Sequence, residues 1–174
     1  MLVTRYARFI VLLAPIGLAA CAGGKAPALY CPQVAVLQQA SRMVLTKGDS
    51  DDVAAQTLDA RITGVAGRCS HAGKSMEMVK FRIGFAATNG PASRLAVQTL
   101  PYFIAIVQGD HIISKRVFAV RFDFRNGADQ AVATTTPIKL SFPRAPRSGA
   151  QQVLVGFQMN AAERERASGA AAAR

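Results

Sequence analysis

The sequence predicts an all-β protein: two antiparallel sheets packed as an immunoglobulin- or fibronectin-like sandwich of about seven short strands. Three observations carry that expectation. From residue 60 onward the apolar side chains recur at every second position, the period of a half-buried strand. Gly, Asn, Asp and Pro clusters separate these runs at short intervals, as turns do between neighbouring strands. Between residues 60 and 160 no stretch keeps a helical period. A small closed barrel would produce almost the same pattern.

Val34–Leu45 (VAVLQQASRMVL) is the ambiguous stretch, because Val34 and Val36 alternate while Leu37, Ala40 and Val44 follow helical spacing; a strand is the expectation. Lys47–Asp52 (KGDSDD) reads as an acidic loop. Ala60, Ile62, Val65 and Cys69 then form a strand whose Gly64 and Gly67 suggest a bulge. The clearest strand is Ser75–Ala87, with Val79, Phe81, Ile83 and Phe85 on one face and Lys80 and Arg82 on the other. After the turn at 88–93 (TNGPAS), Leu95–Val107 is expected to be a strand broken near Pro101. Gly109-Asp110 is a hairpin signal. It leads into Ile112–Phe124, where Phe118, Val120, Phe122 and Phe124 share the inward face. Pro137–Phe142 and Val153–Met159 complete the set. The tail after Asn160 is low in complexity, frayed or a marginal helix.

The N-terminus is organised differently. Arg5 and Arg8 precede an apolar run from Phe9 to Leu18, which ends in Ala19-Ala20-Cys21. Ten apolar residues are too few to span a bilayer, for which about 20 are needed. Basic, apolar, then small residues is the order of a secretory signal. Leu18-Ala19-Ala20-Cys21 resembles the lipobox of bacterial lipoproteins. The resemblance implies cleavage before Cys21, diacylglycerol on its sulfur and acylation of the new amine. Two or more acyl chains anchor a protein stably. Ala22 follows Cys21 in place of the Asp that marks inner-membrane retention. The expected address is therefore the outer membrane, with the domain facing the periplasm. The implied organisation is signal peptide 1–20, tether 21–29, sandwich 30–160 and tail 161–174. The tether would reach about 30 Å at full extension.

Loss of Arg5 and Arg8 would lower the formal charge from +11 to +9. For an exported chain this charge points to lipid phosphates, cell-wall carboxylates or an acidic envelope protein, and not to nucleic acid. With Cys21 lipidated, Cys31 and Cys69 remain as an even pair, and a disulfide is expected in an oxidising compartment.

No cofactor, metal site or catalytic centre is expected. Cys69-Ser70-His71, with Cys31 and His111, falls short of zinc-ligand spacing. The acids at 49–52 are out of register with a calcium loop. There is no GxSxG, and only two histidines are present to act as a base. The outward cations Lys80, Arg82, Lys115, Arg121 and Lys139, followed by Arg144 and Arg147, are the candidate anion-binding residues, provided their strands share a sheet. The leading expectation is a non-enzymatic adaptor or accessory subunit of an envelope assembly. Binding of anionic lipid or cell-wall polymer by the basic face is the alternative, and an envelope enzyme the third.

Overall fold

The computed structural model describes residues 29, 31–48, 50–144 and 151–172. The signal region, Cys21, the tether up to residue 28, Asp49 and Arg147 lie outside the described residues. The described chain forms a two-sheet β-sandwich. In order the strands are β1 (Gln33–Val36), β2 (Arg42–Thr46), β3 (Gln56–His71), β4 (Met76–Asn89), β5 (Val97–Gln108), β6 (His111–Asp123), β7 (Gln130–Thr134), β8 (Ile138–Pro143) and β9 (Gln152–Phe157). One helix, α1 (Ala161–Ala172), follows. The first sheet has the order β1-β9-β5-β6; the second has β2-β3-β4-β7, with β8 also on β4. Neighbouring strands are antiparallel except β1 and β9, which run parallel.

Nine strands arise where about seven were expected, because one stretch divides and β7 lies outside every expected strand. The ambiguous segment Val34–Leu45 serves both sheets: β1 belongs to the first and β2 to the second. A single helical turn, Gln38–Ala40, carries the chain across. This accounts for its mixed periodicity. β7 and β8 line the same edge of β4 in succession, separated at 135–137. Thr135 bridges the gap, since its N–H donates to the Ile83 carbonyl and its Oγ1 accepts from the Ile83 N–H.

The expected bulge is present, with the β3–β4 register shifting between Ile62 and Gly64. Gly64 has φ 152°, a conformation that side chains disfavour. The expected break at Pro101 is absent, and β5 runs through it. The Pro101 carbonyl accepts from the Gln158 N–H, on the β9 side and just past β9's last residue. In an antiparallel strand a residue's N–H and C=O point to the same neighbour. The missing donor thus falls where the β9 ladder has already ended.

The core lies between the sheets. Phe85 of β4 is its centre, with ring centroids 5.2 Å from Tyr102, 5.9 Å from Phe157 and 6.4 Å from Phe122. Burial of Tyr102 pushes its phenol above the ordinary value near 10. The neutral form is therefore favoured in the folded state. Stability from this group should be complete below about pH 10 and lost as pH climbs through the raised folded value. Thermal melts from pH 8 to 11 test this, and Tyr102→Phe should flatten the alkaline decline.

α1 begins with reciprocal capping: the Glu163 N–H donates to Asn160 Oδ1 at 2.9 Å, and the Asn160 N–H donates to Glu163 Oε2 at 2.7 Å. Ala167 is buried, and the helix packs on β2 and the Gln38–Ala40 turn. Among the described residues no helix is long and apolar enough to cross a membrane.

Candidate anion-binding face

Inward Val79, Phe81 and Ile83 of β4 force Lys80 and Arg82 onto the outer face of the second sheet. Register then decides what stands beside them. Lys80 is paired with Arg68 of β3 on one side and with Lys139 of β8 on the other. Three cations thus form a row across three adjacent strands. Arg82 lies two residues along the same face, opposite Ala66. Directly opposed side chains have Cβ atoms about 4.5–5.5 Å apart, and like charges so placed destabilise a sheet. Arg68, Arg82 and Lys139 are exposed and Lys80 is half-buried between its neighbours. None of the four forms an ion pair among the described residues.

The carboxylate of Asp59, on β3, does not neutralise this row. Arg42 of β2 holds it in a two-pronged contact, Nε to Oδ1 at 2.9 Å and Nη2 to Oδ2 at 2.6 Å. The Asp59 hydrogen bond raises the Arg42 guanidinium above its ordinary pKa.

Only part of the expected set comes together. Lys80, Arg82 and Lys139 share one face, whereas Lys115 and Arg121 are on β6, in the other sheet. The condition that joined all five fails because the Gly109-Asp110 hairpin pairs β6 with β5, not with β4 or β8. Lys115 instead places its ammonium 4.5 Å from the centre of the Phe103 ring, a cation–π contact. Arg121 is exposed beside Thr99. Arg68 was missed because the bulge resets the alternation of β3 ahead of it. The Gly64-Gly67 pair was the signal that parity before the bulge would not extend past it.

Arg144 also leaves the expected face. Its Nε lies 3.7 Å from Oε1 of Glu77, which is wholly buried on the inner side of β4. Its Nη2 donates to His71 Nδ1 at 2.7 Å. A guanidinium only donates, so that imidazole nitrogen is unprotonated in this arrangement. The group secures the end of β8 against the β3–β4 hairpin, helped by the Arg144 N–H donating to the Ser75 carbonyl.

Cys31 and Cys69 are joined in a disulfide with Cα atoms 5.9 Å apart, so neither sulfur is a free thiolate ligand. In the acidic loop, Asp52 Oδ1 accepts from the Ala54 N–H and caps the helical turn Val53–Ala55. Comparison with protein-family models, curated proteins and solved structures finds no match to this chain.

Proposed function

We propose that this chain is a lipid-anchored, periplasm-facing lipoprotein of the outer membrane. It works by binding, as a non-enzymatic adaptor or accessory subunit of an envelope assembly. The lipobox supports the anchor. The row Arg68–Lys80–Lys139 supports the binding role: three like charges are held in register, at a cost in sheet stability, where an anionic partner would relieve the repulsion. An acidic protein surface is the partner of first choice. A second reading, favoured by the same row, is an anionic lipid or cell-wall polymer.

The test is a detergent pull-down of the tagged protein from its own membranes at low and high salt, with proteins and lipids both identified. A stoichiometric protein partner is the expected result. Lys80→Glu combined with Lys139→Glu should weaken its capture by roughly ten- to a hundred-fold, since reversal sets like charges against each other across the interface. Recovery of an anionic lipid or glycan alone, lost in high salt, would move the assignment to the second reading. Unchanged capture by the double variant would remove the basic row from either role.

A further inference from the structure

Register across the first sheet brings several separate features to one end of the molecule. Gln33, Gln152, Val107 and Ile112 form a single row through β1, β9, β5 and β6. Gln33 is the first residue of β1, so the chain enters the sandwich level with the tip of the β5–β6 hairpin. Two residues earlier, Cys31 is bonded to Cys69, itself two residues from the end of β3. The β3–β4 tip therefore lies at this end as well.

This end is apolar and basic together. Ile112 is 65% exposed, Ile113 50% and Leu29 41%. These are three of the seven exposed large apolar side chains among the described residues, and Val117 lies further along the same strand. Ile112 and Ile113 stand where the β5–β6 register shifts, Ile113 being the unpaired residue, and both meet solvent along with every residue from 111 to 117. Lys115 and Arg116 adjoin them on β6, and Lys74 is exposed on the other hairpin. Asp110 is the acid in the β5–β6 tip.

We infer that this end is a membrane-docking surface: the β5–β6 tip sets Ile112 and Ile113 into the interface of an anionic phospholipid bilayer, with Lys115, Arg116 and Lys74 against the phosphates. Apolar side chains flanked by cations combine the two forces that hold a peripheral protein on such a surface. The inference rests on the lipoprotein reading for one link, the direction in which the chain leads. From Leu29 back to Cys21 an extended chain covers at most about 30 Å, so a lipid on Cys21 would hold this end next to the bilayer.

The chain has no tryptophan, which makes a single introduced one a clean depth reporter. Ile113→Trp and Val132→Trp would each be made in the full chain, purified from membranes and reconstituted. The vesicles are phosphatidylcholine with phosphatidylglycerol, the acyl chains brominated. Val132 is 83% exposed and pairs with Ala86 of β4, near the opposite end. Ile113→Trp should be blue-shifted and quenched several-fold more than Val132→Trp. Adding Lys115→Glu and Arg116→Glu should bring it down to the Val132→Trp level. Equal quenching at the two positions overturns the inference. So does a blue shift that follows protein density and ignores the phosphatidylglycerol fraction, which would indicate self-association. The mass of the mature protein separately reports whether Cys21 is acylated, and an unacylated chain added to the same vesicles still decides docking.

Discussion

Replacing Cys31 and Cys69 together by serine is expected to lower the unfolding free energy by about 4 kcal/mol. The bond spans 38 residues, and releasing it restores that loop's freedom to the unfolded chain. For a domain of this size the melting temperature should fall by roughly 10–15 °C. The denaturant slope should rise, because an unfolded chain without the cross-link exposes more surface. That rise separates an effect on the unfolded state from lost packing, which would leave the slope unchanged. Within the fold the consequence should be local first. β1 has four residues and one ladder neighbour, β9, and the disulfide ties its start to β3. Amide exchange at Val34–Val36 should accelerate more than exchange at Ile83–Ala87 in the middle of the second sheet.

Phe85→Ala is expected to cost about 3–5 kcal/mol, through lost burial and the cavity left among rings that cannot collapse. Phe85 is 1% exposed and meets aromatic rings from β5, β6 and β9, so it joins the two sheets at a single point. Val132→Ala, at a side chain 83% exposed, should change stability by no more than about 0.5 kcal/mol. Urea unfolding of both variants checks the contrast, and the slope for Phe85→Ala should stay that of the parent. Domains of this kind carry about 5–15 kcal/mol in all. Either the disulfide or Phe85 therefore accounts for a large part of the total.

The inner faces of the long strands were legible because burial imposes a period of two on each strand regardless of its neighbours. Val79 through Ala87 on β4 and Phe118 through Phe122 on β6 follow the period with no help from tertiary context. β1 and β2 were harder to separate, since a segment that changes sheets halfway shows two short patterns and not one long one. β7 escaped notice altogether: QAVAT is five residues of weak alternation at an edge. Its place is set by the β4 backbone more than by its own side chains. Pro101 shows the converse, a residue whose local rule predicts a break that its position beside a finished strand makes unnecessary.

The basic face divides along the same line. Parity within one strand told that Lys80 and Arg82 point away from the core, and nearest-neighbour alternation is enough for that. Strand pairing decided the rest. The β5–β6 hairpin removed Lys115 and Arg121, the bulge at Gly64 brought in Arg68, and a buried carboxylate drew Arg144 inward. The sequence by itself determined the all-β class and the inward face of each long strand, because periodicity is a property of the chain alone. The choice of a sandwich over a closed barrel, and of Cys31 and Cys69 as the bonded pair, is shown by the tertiary structure. Only the tertiary structure decided which cations stand together, because neighbourhood across strands depends on register, which strand pairing and a single bulge set and composition does not.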